Sequence, residues 1–149
     1  MITLTRDQDP DALRAAIMTQ LRAHGVAKVI ITFDGSADDG QIESIGCTML
    51  DDSEGSLDFP ADIPDKMIAG GSTVWHSESR QYVTQPMDRP ATMAEVLDAW
   101  GYTLLDKTDV DWVNGDGGCG EIVIAPATDA IHCEMNVRFT DFQTSTHEL

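Results

Sequence analysis

The sequence predicts an α+β fold: one antiparallel sheet of four to six strands with two helices packed on one face. Three observations carry that expectation. Two segments repeat apolar residues at helical spacing, and four others read as strands. Each helix is followed by a strand pair near an Asp/Asn-Gly turn, so the expected order is α-β-β-…-α-β-β. At 149 residues the chain suits a single domain over 1–149, with an acidic loop or insert at about 50–90.

The first helix begins at Asp9-Pro10-Asp11. Asp9 is a capping residue, Pro10 fits the first helical position, and Asp11 suits the positive helix end. Leu13, Ala16, Ile17, Gln20 and Leu21 form its stripe, and His24-Gly25 stops it. "VAKVIITF" is a short β-branched strand bounded by Asp34-Gly35, and "QIESIGCTM" is its hairpin partner across "DGSADDG". Pro64 to Gly70 reads as one or two helical turns. "STVWH" and "RQYVTQ" read as a smaller hairpin.

The second helix opens on the capping box Thr92-Met93-Ala94-Glu95 and carries the stripe Met93, Val96, Leu97, Trp100 and Leu104. Gly101 costs such a helix about 1 kcal/mol relative to Ala, so fraying of its last turn is expected. "EIVIA" and "AIHCEMNVRFTDF" close the chain as strands. In the latter, Ile131, Cys133, Met135, Val137 and Phe139 point one way, and His132, Glu134, Asn136, Arg138 and Thr140 the other. A short echo aligns Gly40-Gln41-Ile42 with Gly120-Glu121-Ile122 and suggests the helix-strand-strand unit twice over.

Charge narrows the function classes. With 9 Lys+Arg against 26 Asp+Glu the net charge is −17. Nucleic acid is therefore not expected as a direct ligand, nor is an anionic membrane surface. No stretch approaches the length of a membrane span, and the N-terminus lacks a signal-peptide apolar run; a soluble cytoplasmic protein is expected. Cys47, Cys119 and Cys133 include no CxxC pair and read as reduced, idle thiols.

The charge is also uneven. From Val29 to Asp65 there is no Lys, Arg or His. The same 37 residues hold ten carboxylates, among them Asp34, Asp38, Asp39, Glu43, Asp51, Asp52, Glu54 and Asp58. Such a block repels itself unless it is solvated or met by an outside cation. A solvated acidic surface is one reading. A docking face for a basic partner is the other.

The stretch Asp111–Ile124 places four of the twelve glycines within six residues. Gly115, Gly117 and Gly120 satisfy G-x-G-x-x-G, but a strand leaves the loop where a dinucleotide site needs a helix. Glu121 stands where a phosphate loop needs lysine. An EF-hand reading from Asp34 fails because Asp39 replaces the glycine and Ile45 the bidentate glutamate, which leaves at most weak calcium binding by Asp34, Asp38 and Asp39. No cofactor and no metal site is expected. The loop is expected to turn the chain, with Asn114 and Asp116 supplying turn chemistry and Trp112 anchoring it on the sheet edge.

The pairs "DWVNGDGGCGEIVI…AIHCEMNVRF" and "VIITFDGSADDGQIESI" resemble a family of small bacterial proteins catalogued only as a domain of unknown function. The resemblance rests on a Trp-x-Asn, a Gly-rich turn, a Gly-Glu strand start and an Asn-x-Arg. It spans both hairpins but not Leu50–Pro90, and Cys119 stands where an aromatic or small residue is expected. It implies no activity and transfers no catalytic residue. It does imply carriage on plasmids and other mobile elements, hence anti-defence or maintenance roles.

Three functional expectations follow. The preferred one is a non-enzymatic inhibitor or adaptor of the anti-CRISPR or immunity type, acting as a DNA mimic on a basic protein such as a nuclease or CRISPR effector. The second is a small hydrolase or transferase using His132, Glu134, Asn136 and Arg138 with Glu121 and Asn114; a Cys119–His132 nucleophile pair, or His132 and Glu134 on a metal, are weaker variants. The third is a structural accessory subunit of a mobile element, self-associating through a sheet edge as a homodimer.

Overall fold

Strand β1 (Ile2–Leu4) precedes helix α1 (Pro10–Ala23), and the β2–β3 hairpin follows (Val26–Ser36, Asp39–Met49). Then come β4 (Ile68–Gly70), β5 (Thr73–His76), β6 (Gln81–Thr84), helix α2 (Met93–Lys107), β7 (Gly118–Ala125) and β8 (Ala130–Val137). The computed structural model describes residues 2–4, 9–63, 68–70, 73–84, 90–140 and 143–149.

The caps act as their residue types dictate. The Asp9 carboxylate accepts from the backbone N–H groups of Asp11 and Ala12 at 3.0 and 3.3 Å, and Pro10 occupies the first turn. Leu13, Ile17 and Leu21 are buried as the stripe requires, joined by Met18; Gln20 instead accepts from the Asp62 N–H at 3.2 Å. In α2 the Thr92 hydroxyl accepts from the Glu95 N–H, and the Glu95 carboxylate accepts from the Thr92 N–H. The helix runs unbroken through Gly101, against the expected fraying. A Cβ at Gly101 would lie 2.6 Å from Cδ1 of Ile42, so the glycine lets the helix approach the sheet closely.

The main sheet has the order β3-β2-β7-β8 and is antiparallel throughout. The α-β-β unit therefore occurs twice, the two hairpins meeting along their first strands. The sequence echo aligns the wrong members: Gly40 lies near the start of β3, whereas Gly120 lies in β7, the counterpart of β2. Val29, Ile31 and Phe33 of β2 join Ile122 and Ile124 of β7 in one core with Leu13, Ile17 and Leu21 of α1 and Met93, Val96, Leu97 and Trp100 of α2. Both helices thus cover one face. Arg22 and Arg14 tie α1 to the β7–β8 connection, donating to the carbonyls of Pro126 and Asp129 at 2.8 and 2.6 Å.

Four expectations are corrected. Ile68–Gly70 is a strand paired with β1, not part of a helical turn; Pro64–Met67 lie outside the described residues. The β2–β3 turn is only Ala37-Asp38, both at positive φ (52° and 67°), a geometry that matches strand twist, so Asp34 and Asp39 are strand residues. Gly118-Cys119-Gly120 begin β7 rather than turning the chain. The last strand ends at Val137, and Phe139 is 84% exposed instead of continuing the core face. The smaller hairpin is present, as β5 and β6.

Candidate functional site

The helices leave one face of the sheet uncovered, and the register states what it carries. Thr32, Ser44, Glu121 and Glu134 form one cross-strand row. Asp34, Gln41, Cys119 and Asn136 form the next. Glu121 and Glu134 are directly opposite, an arrangement of like charges that costs stability unless something compensates it. In the first row the Thr32 and Ser44 hydroxyls bond each other.

At the open end of this face the hairpin tip is clamped by the glycine-rich loop. The Ala37 N–H donates to the Gly115 carbonyl at 2.9 Å, and the Asp38 N–H to the Val113 carbonyl at 3.1 Å. Trp112, 7% exposed, lies against the paired Gly35 and Gly40 and meets Phe33 edge-on, with ring centroids 5.2 Å apart. It anchors the loop on the hairpin's core side, not on a sheet edge. A Cβ on Gly117 would sit 1.8 Å from the Gly35 carbonyl oxygen, and Gly117 has φ +71°, so only glycine fits.

The loop's polar residues are structural. The Asp111 carboxylate accepts from the Val113 and Asn114 N–H groups and from the Asn114 amide, which together hold its pKa below the usual carboxylate value. Asp116 accepts from the Thr140 hydroxyl at 2.6 Å. Arg138 is similarly engaged. Its guanidinium meets both Asp34 carboxylate oxygens at 2.9 and 3.0 Å and donates to the Gly35 carbonyl at 3.1 Å.

The acidic tract divides in space. Asp34, Asp39 and Glu43 line one shallow cavity of about 210 Å³ at the tip, with Asp38 in the turn above it. Glu43 sits at the bulge between the Thr32–Ser44 and Phe33–Ile42 pairs, which turns it to the strand edge. Among the described residues, Asp38, Asp39 and Glu43 form no ion pair. Asp51 and Asp52 lie beyond the other end of β3, and Glu54 lies opposite Thr48 near that end. Five residue steps of β3 separate Glu43 from Thr48, roughly 17 Å at about 3.3 Å per residue. That is about twice the ~8 Å screening length at physiological salt, so the two groups are only weakly coupled. Asp58 is an exposed residue on the segment that runs past the start of α2, where the Ala94 N–H donates to the Leu57 carbonyl.

A second cavity, about 380 Å³, opens between β3 and α2, lined by Ile42, Glu43, Ser44, Ile45, Ala94, Glu95 and Asp98. It meets the tip cavity at Glu43. Partial burial raises the Asp98 carboxyl above its ordinary pKa. The sequence reading assigned Glu95 only a capping role and passed over Asp98; the Ala94–Asp98 spacing on one helix flank was the available signal.

The Cys119–His132 pair is not brought together, whereas His132, Glu134 and Asn136 share the exposed face of β8. His132 pairs across the strands with Val123, and Cys119 with Asn136, four positions along the strand or roughly 13 Å away. Glu134 faces Glu121, and Arg138 is committed to Asp34. Among the described residues no group of three His, Cys, Asp or Glu is placed to hold a metal ion. All three cysteines are free, Cys47 buried with its thiol pKa raised mainly by burial.

A family model described as a family of unknown function (DUF6878) matches residues 11–149. The chain belongs to that family. No curated protein and no solved structure matches it. The DUF6878 match spans both helices and the whole main sheet, and so the Leu50–Pro90 region as well, which the sequence resemblance had left out. Among the described residues no helix of this DUF6878 chain is long and apolar enough to cross a membrane.

Proposed function

We propose that this DUF6878 protein is a non-enzymatic inhibitor or adaptor that docks its acidic hairpin tip on a basic, nucleic-acid-binding protein. The supporting observation is the shared cavity of Asp34, Asp39 and Glu43, on backbone clamped by the Trp112 loop. A clamped backbone has less to order on binding, and a duplex presents about one charge per 1.7 Å, so carboxylates carried on that backbone, Asp39 and Glu43 beside the Arg138-paired Asp34, compete for the same basic groove. Anti-CRISPR proteins and nuclease-neutralising immunity proteins are models for such a role, and a DNA-mimicking factor of a mobile element fits it.

The test is capture from the native host at low ionic strength with the full chain as bait, elution by rising salt, and a DNA-competition assay on the eluted protein. The reading predicts a basic nucleic-acid-binding protein whose DNA is displaced by this chain, with affinity falling steeply as salt rises. Affinity that stays flat between low and high salt, or DNA binding unaffected by this chain, overturns it.

A further inference from the structure

The β3–α2 cavity combines an apolar floor with an acidic rim beside an edge strand. Its floor is apolar, formed by Ile42, Ile45 and Ala94; its rim carries Glu43, Glu95 and Asp98. β3 is an edge strand, and some of its outward backbone groups are already satisfied. The Ile42 N–H donates to the Tyr102 hydroxyl at 3.0 Å. The Cys47 carbonyl accepts from Gly55 at 3.1 Å, and the Met49 N–H donates to Ser53 at 2.8 Å.

Outward groups alternate along a strand, so Ile45, two residues before Cys47, also turns its N–H and C=O outward. Among the described residues neither has a partner. The open edge is therefore a short window, centred on Ile45, directly above the cavity.

We infer that this window takes a short extended segment of a protein partner. The segment bonds the Ile45 edge and lays an arginine or lysine side chain into the cavity. The methylenes of that side chain cover Ile42, Ile45 and Ala94, and its cationic head meets Asp98 and Glu43. The capped positions on either side limit the added strand to about three residues, so the side chain supplies much of the recognition. An incoming cation also relieves Asp98, whose charge is disfavoured by partial burial. The inference rests on the basic-partner reading above and gives that partner's contact a chemistry: a basic side chain in an extended, β-compatible stretch.

The probes are two synthetic peptides of equal charge, acetyl-Arg-Val-Arg-Val-Arg-amide and acetyl-Arg-Gly-Arg-Gly-Arg-amide. Each is titrated into the full isotopically labelled chain at 150 mM NaCl. The valine peptide is expected to bind more tightly and to shift the amides of Glu43–Gly46 and Ala94–Asp98. Asp98→Asn is expected to weaken it roughly three- to tenfold. Ala94→Phe, which fills the floor, is expected to abolish those shifts, and Asp98→Asn keeps the test decisive if that variant fails to fold.

If Asp98→Asn and Ala94→Phe both bind within twofold of wild type, or the shifts gather at Asp38–Asp39 instead, the groove inference fails while the basic-partner reading stands. If neither peptide nor polyarginine binds even at low salt, both fail.

Discussion

At the tip of the β2–β3 hairpin, the Ala37 and Asp38 N–H groups are bonded to a separate loop and Trp112 is packed under Gly35 and Gly40. At the other end, the Leu50–Gly55 loop carries Asp51, Asp52 and Glu54 on bonds that run within residues 47–55 and once to Gly25. The Ser53 hydroxyl and N–H both donate to Asp51, a turn closed on itself. Both ends are acidic, but the tip backbone is tied to a separate loop nearly eighty residues away, whereas the far end is held by bonds within its own turn and one to Gly25. On the proposed reading, it is this fixed backbone, more than charge count, that would make the tip the docking surface.

The strongest way to break that contrast is Trp112→Ala. Loss of a buried indole is expected to cost about 3–5 kcal/mol in denaturant unfolding. In the variant, amide exchange at Ala37 and Asp38 should quicken while Leu50–Gly55 changes little. Equal loosening of both ends would remove the distinction.

Gly117→Ala is expected next, at about 2 kcal/mol or more, because the Cβ meets backbone and the φ is left-handed. Gly101→Ala serves as its control. There the clash is with the mobile end of Ile42, and about 1 kcal/mol of helix propensity offsets it, so the net change in thermal unfolding should stay within about 1 kcal/mol.

Arg138→Gln removes a half-exposed ion pair, so the destabilisation should be small and should shrink as salt rises. The smallest effect concerns Asp98. Burial raises its folded pKa, so its stabilising contribution is complete at low pH and is lost as pH rises through the folded value. Asp98→Asn should therefore be slightly the more stable chain at pH 7, and the gap should close as pH falls below the ordinary carboxyl value of about 3.9. Asp111 and Asp51 have the opposite sign. Their pKa values are lowered, so what they contribute persists at neutral pH and fades as pH falls through those values.

Much of the fold was legible because the decisive signals are local. Asp9, Pro10 and the Thr92–Glu95 box set the helix starts, and strand alternation set the β8 register. What escaped was long-range. Nothing near Ile2–Leu4 or Ile68–Gly70 announces that each strand exists because of the other. Gly101 read as a weak helix position because its reason, Ile42, lies 59 residues away in sequence. The acidic tract was visible as composition, but its division into two patches depends on where the strands end. The groove was invisible because Glu43 and Asp98 meet only in the folded chain.

The most direct test compares two triple variants with the same change in charge: Asp38→Asn, Asp39→Asn, Glu43→Gln at the tip, and Asp51→Asn, Asp52→Asn, Glu54→Gln at the far end. Polyarginine affinity is measured for each by calorimetry across a salt series. The account predicts that the tip variant loses about tenfold and shows a shallower salt slope, while the far-end variant stays close to wild type. Equal losses would mean that only total charge matters, contradicting the claim that the clamped tip is the docking surface.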